Sequence, residues 1–175
     1  MKKIFSASFA ILVSICFFGI AQAADFTDVP QTHKNAEAIY YLQKENVIKG
    51  YSNNTFKPDA KVNRAEFLKI ILEGSHIELD VSEYTKFSDI NENAWYAPYI
   101  KKAKKEGWVQ GYADGTFRPE SFINKAEALK ILGKVQKWEI SNKVTKAPFK
   151  DVPSLAWYAG YVEYAKTHDF LEVGG

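Results

Sequence analysis

The sequence predicts a mainly α protein built from helix–loop–helix repeats, and three observations carry that prediction. Residues 26–72 and 87–133 are two copies of one pattern, offset by 61 positions without a gap, and 17 of the 47 aligned positions are identical. A third, shorter copy begins at Phe149. Within each copy apolar residues recur at i, i+3, i+4 and i+7, the period of a helix with one buried face. A register kept over this length marks one supersecondary unit used in series.

The first helix of each copy is read from that stripe. It runs through Asn35, Ala38, Ile39 and Leu42 in copy one and Tyr96, Tyr99, Ile100 and Ala103 in copy two. Copy three places Tyr158, Tyr161, Val162 and Ala165 alike. These spacings predict helices over about 35–45, 96–106 and 157–167. Pro98 falls in a first turn, where its missing N–H costs little. Gly107 follows the second of these helices and fits a left-handed cap, and copy one puts Asn46 there.

A turn-rich loop comes next, Gly111-Tyr112-Ala113-Asp114-Gly115-Thr116-Phe117-Arg118-Pro119 in copy two. Asp114-Gly115 supplies a tight turn with positive φ, and Asn53-Asn54 tolerates the same region. Phe56 and Phe117 are expected to pin the loop to the core. Asp28 and Asp89 are read as local caps or turn formers. Alternate carboxylates and a terminal Glu are absent, so a calcium loop fits poorly.

The second helix opens at Asn63 or Asn124, each followed three residues on by Glu66 or Glu127, a capping box with Asn as the cap. Beyond it Ala65, Phe67, Leu68, Ile70 and Ile71 leave a narrow polar stripe. A helix apolar on most sides is buried on most sides. Residues 64–73 and 125–137 are therefore expected as inner helices, with the first helices outside them. Residues 74–86 and 134–148 are polar connectors. The organisation is a leader over 1–23, copy one over 24–73, copy two over 87–133 and a partial copy three over 149–175.

The leader has Lys2 and Lys3, an apolar run from Ile4 to Ile20 and then Ala21-Gln22-Ala23, the three parts of a secretory signal peptide. The only cysteine, Cys16, lies inside it. The exported chain then has no thiol or disulfide chemistry and no membrane span. With Lys2 and Lys3 gone, 21 of the 23 basic residues face 21 acidic ones. This balance argues against nucleic acid as a partner.

No catalytic constellation is visible. His33, His76 and His168 lie far apart, and no nucleophile elbow, phosphate loop or metal-ligand pair occurs. The sequence predicts no enzyme, no metal and no cofactor. Arg64 and Lys125 resist a bland reading. Each is a cation at a first helical position, which the helix dipole mildly disfavours. A helix start with free N–H groups plus a cation makes an anion or carboxylate site. An exposed cation contributes little to stability, so Arg64 is expected to serve a ligand and hardly affect folding. Trp95 and Trp157 precede the first-helix stripe at equivalent places. Their faces suit sugar rings, but core packing at the helix entry is the stronger reading.

Phe-x-Asp-Val, a helix with Trp-Tyr, Gly-Tyr-x-Asp-Gly-Thr-Phe-x-Pro and then Asn-Arg-Ala-Glu or Asn-Lys-Ala-Glu together resemble the S-layer homology (SLH) repeat. The resemblance covers two full repeats and the first half of a third. It implies a pseudo-threefold domain around a central helical bundle, here with an incomplete third repeat, and ligand grooves between repeats. It also implies non-covalent anchoring of an exported protein to the cell wall or S-layer through a secondary cell-wall polysaccharide, or another peptidoglycan-linked glycan, often pyruvylated. The family's Thr-Arg-Ala-Glu tetrad maps onto Asn63–Glu66 and Asn124–Glu127. Asn for Thr still caps a helix, whereas Lys125 for Arg loses the bidentate fork. Copy three carries no tetrad.

The resemblance thus makes Arg64 the partner of a ligand carboxylate and Lys125 a weaker one. Gly50, Tyr51, Gly111 and Tyr112 line the groove walls, and Trp95 and Trp157 are further glycan-binding candidates. Asn63, Glu66, Asn124 and Glu127 cap the helices and orient the cations. The rival readings are a structural module that self-associates, with polymer binding weakened, and the tether of an envelope hydrolase whose catalytic part is absent.

Overall fold

A computed structural model describes residues 26–80, 86–141 and 143–171. The leader predicted over residues 1–23 and the third copy's last residues, 172–175, lie outside the described residues. The described residues form five helices: α1 (Ala36–Lys44), α2 (Arg64–Gly74), α3 (Ala97–Lys105), α4 (Lys125–Val135) and α5 (Ala159–Thr167). The mainly α expectation holds, and the predicted helices all form.

The outer helices α1, α3 and α5 bury the predicted stripe at Ile39, Ile100 and Val162. They also bury an alanine that the stripe missed, Ala36, Ala97 or Ala159, at the first helical position. Ala38, placed in the stripe from sequence, is exposed. Pro98 sits in the first turn of α3. Asn46 and Gly107 take the left-handed conformation after α1 and α3, with φ 59° and 70°, and Asp169 does so after α5. The inner helices α2 and α4 both open with the predicted capping box: Asn63 accepts from the Glu66 N–H at 2.8 Å, and Glu66 accepts from the Asn63 N–H at 2.9 Å.

Packing runs between copies. α2 packs on α3 of the next copy, α4 packs on α5, and α2 and α4 pack on each other. The central core joins Leu68 and Leu72 of α2, Ile100 and Ala103 of α3, Phe117, and Ile131 and Val135 of α4. α1 belongs to a separate cluster with Phe26, Val29, Val47 and Ile48. In a third cluster Leu129 of α4 meets Val162 and Ala165 of α5. Gly133 permits this approach: a Cβ there would stand 2.9 Å from the Tyr161 ring.

Two expectations are corrected. The connectors are not simply polar, because Ile77 and Leu79 pack on the central core and Val144 is buried in the third cluster. Asp28 and Asp89 are not local caps. Each carboxylate reaches 28 and 29 residues ahead and clamps the loop by accepting two backbone N–H groups, Phe56 and Lys57 for Asp28 and Phe117 and Arg118 for Asp89, at 2.7–2.8 Å. These amides hold the Asp28 carboxyl below its ordinary pKa, chiefly through the Phe56 N–H. The phenylalanines do pin the loops, with ring centroids 5.5 Å apart in both Phe26–Phe56 and Phe87–Phe117.

Candidate functional site

Among the described residues, three grooves along the inner helices bear on the site. The first, about 330 Å³, lies within copy one and is lined by Gly50, Tyr51, Lys57, Glu66, Lys69 and Ile70. The second, about 130 Å³, gathers residues from all three copies: Arg64, then Gly111, Tyr112, Glu127 and Lys130, then Trp157. The third, about 670 Å³, opens at the start of α4 and includes Asn124, Lys125, Phe149, Asp151, Trp157 and Tyr158.

Gly50 and Gly111 turn the chain at the groove wall. Their φ values are 67° and 78°. A Cβ on Gly111 would meet the Phe87 ring at 2.3 Å and the Thr116 carbonyl at 2.6 Å, and Gly50 meets Phe26 and Thr55 in the same way. Only glycine satisfies both demands. The turn leaves Tyr51 exposed and Tyr112 half-buried. The Tyr112 hydroxyl is 3.4 Å from a Glu127 carboxylate oxygen.

Arg64 is not the exposed cation expected from sequence. It is 5% exposed. Its Nε donates to the Phe117 carbonyl at 2.9 Å, and its Nη1 lies 3.4 Å from Glu127 Oε1. Its guanidinium carbon lies 4.5 Å from the Phe117 ring centroid and 5.1 Å from that of Tyr112. Nor does α2 begin with free N–H groups. Arg64 N and Ala65 N donate to the carbonyls of Ser121 and Pro119, and Glu66 N donates to the cap. The return contact, Ile123 N to the Val62 carbonyl, completes an antiparallel bridge between the copies at Asn63 and Phe122. The second copy therefore occupies the α2 N-terminus, while Arg64 still lines the second groove.

α4 keeps the arrangement the sequence suggested. Lys125 is exposed in the largest groove. Among the described residues, its N–H and that of Ala126 have no carbonyl partner like those at α2. The Asn124–Glu127 box is intact, and Glu127 serves the cap, Arg64 and Tyr112 together.

The tryptophans also depart from expectation. Trp95 is 53% exposed and Trp157 is 58% exposed, so packing does not account for them. Trp157 borders the second and third grooves, and Lys130 Nζ lies 5.1 Å from its ring centroid. Trp95 borders none of the three grooves and edges onto Tyr96 and Tyr99. Sequence reasoning missed Lys69 and Lys130, one turn beyond each Glu of the tetrad. Their identity in both copies was the available signal. Lys69 is held by Glu73, which also takes the Tyr99 hydroxyl. Burial, followed by that carboxylate, raises the Tyr99 pKa to about 12. Copy two puts Lys134 in place of Glu73, so Lys130 lacks that clasp. Burial, with Lys130 nearby, lowers the Lys134 pKa.

The S-layer homology domain family model matches residues 25–68, 86–129 and 148–173. A cellulosome-anchoring protein of Acetivibrio thermocellus is 33% identical over 137 residues, 75% of this chain and 30% of that protein. Cell surface glycoprotein 1 of the same organism is 30% identical over 166 residues, 88% of this chain and 7% of the relative. An S-layer protein of Bacillus anthracis is 29% identical over 140 residues, 78% of this chain and 17% of its own length. The chain thus spans less than a third of each of these relatives. No described helix is long and apolar enough to cross a membrane. With its three copies matched in register, the chain belongs to the S-layer homology family of cell-surface proteins.

Proposed function

We propose that this chain anchors to the cell wall by binding an acidic, pyruvylated secondary wall polysaccharide in the grooves beside α4. The observation that carries this reading is the second groove, where three copies bring Arg64, Lys130, Tyr112 and the exposed Trp157 together. Cations meet ligand carboxylates there, and an aromatic face beside them takes the apolar side of a sugar ring. The third groove adds Lys125 and two N–H groups at a helix start, a suitable place for a carboxylate. Asn124 and Glu127 hold that helix start, as Asn63 and Glu66 hold the first. In the first groove Gly50, Tyr51 and Glu66 repeat part of the pattern, but Lys69 is already engaged by Glu73. That groove is the weakest of the three.

The test is calorimetric titration of the exported chain with a pyruvylated wall fragment and with its depyruvylated control. Tighter binding of the first is expected. Equal binding of both rejects carboxylate recognition.

A further inference from the structure

Arg118 and Lys57 occupy equivalent places in the two loops, and both take the left-handed conformation, at φ 60° and 59°. Such a backbone is strained for any residue with a Cβ and relaxed for glycine. The backbone role at this position is to donate an N–H to Asp89 or Asp28, which glycine would perform equally. A cation is nevertheless present in both copies, so the side chain itself needs an explanation.

The two side chains share one contact. The Arg118 guanidinium lies 4.0 Å from the Tyr112 ring centroid, and Lys57 Nζ lies 4.1 Å from that of Tyr51. The ion pair of Arg118 with Asp114, at 2.9 Å, is not shared, because copy one has Asn53 there and that side chain takes the Thr55 hydroxyl. The common element is therefore a cation on the tyrosine of the groove wall. In copy two the ring also lies beside Arg64, and its hydroxyl faces Glu127.

We infer that Arg118 and Lys57 are positioning residues that hold Tyr112 and Tyr51 in their ligand-ready orientation. Neither needs to touch ligand itself. The strained backbone directs the side chain over the ring, and the Asp89 or Asp28 clamp maintains that conformation. The effect on glycan affinity rests on the groove reading proposed above. The effect on the ring does not.

The experiment compares Arg118→Gly and Arg118→Lys with the unmutated chain by NMR of ring-labelled tyrosine, with Tyr112 assigned through Tyr112→Phe. Arg118→Gly is expected to shift and average the Tyr112 ring signals while the chain stays folded, and Arg118→Lys to restore them. With the pyruvylated fragment, Arg118→Gly should weaken binding roughly 3- to 5-fold, the scale of one exposed cation–π contact, and Arg118→Lys should recover most of it. Unchanged ring signals overturn the positioning role. So does an unaltered affinity when the ring has moved. If the unmutated chain binds no fragment, the groove reading falls, and the ring signals alone decide whether Arg118 holds Tyr112.

Discussion

Arg64 Nε donates a 2.9 Å hydrogen bond to the carbonyl of Phe117, which lies 53 residues further along the chain and is itself fully buried. One side chain thus ties the start of α2 to the loop of the following copy. It also places a guanidinium against Glu127, 3.4 Å away, at the mouth of a groove. Under the proposed function, stability and recognition share this residue.

Arg64→Ala should lower stability by roughly 2–4 kcal/mol, because it strips a buried carbonyl of its donor and leaves Glu127 without its cation. Urea unfolding with an unchanged m-value would measure this. Arg64→Lys should recover only part of the loss, since an ammonium cannot serve the carbonyl and the carboxylate from the same fork. An Arg64→Ala protein as stable as the parent would mean that the inter-copy contact is slack.

Lys125→Ala should behave in the opposite way. Its exposed side chain makes no ion pair among the described residues, so stability should change by less than about 0.5 kcal/mol. Affinity for the pyruvylated fragment should fall by roughly 1.5–3 kcal/mol, the range of a hydrogen bond to a charged group. Calorimetry on one pair of proteins gives both numbers, and a thermal shift without an affinity change would reverse the assignment.

Gly111→Ala should cost more than about 1 kcal/mol, because its strain is steric as well as conformational. The new Cβ would lie within 2.3 Å of a buried phenylalanine ring. Faster hydrogen exchange at the Phe117 and Arg118 amides should accompany the drop, since Asp89 cannot keep both once the loop shifts. Preserved exchange protection at those amides would show that the loop tolerates the side chain.

The Asp114 carboxyl titrates at about 2, against an ordinary 3.8, because the Thr116 hydroxyl and then Arg118 favour its charged form. A depressed native pKa stabilises the fold above the unfolded value and ceases to do so as pH falls through the native one. The contribution of Asp114 should therefore be complete above about pH 4 and vanish towards about pH 2. Asp114→Asn should remove this part of the acid dependence without changing the slope near neutrality. A parallel pair of acid-unfolding curves would contradict the assignment.

The stripes, capping boxes and loop glycines were legible in the sequence because each is local, set by spacing or by one residue's conformational range. Asn46 in place of Gly107 predicted a left-handed cap without any knowledge of what packed around it. The burial of Arg64 was not legible. Its surroundings come from residues 117–127, and nothing near position 64 announces them. The clasp from Asp89 to Phe117 escaped for the same reason: Asp at a turn is ordinarily explained by its neighbours. For Trp157 the sequence favours core packing over its glycan-binding candidacy, because an aromatic at a helix entry is usually core. Only the relative placement of copies two and three shows it facing open grooves.

Each inner helix packs on the outer helix of the following copy, and donors at the start of α2 meet carbonyls 54 and 57 residues ahead of them. The outer and inner helices that make this packing stand at opposite ends of one repeat. The contact is therefore directional, a hook and an eye whose order runs with the chain. A twofold axis cannot reproduce the inner-to-outer helix contact, which joins unlike elements. Any assembly that reused this joint between molecules would have to run head to tail, and its curvature alone would decide whether it closed as a ring or extended as a filament.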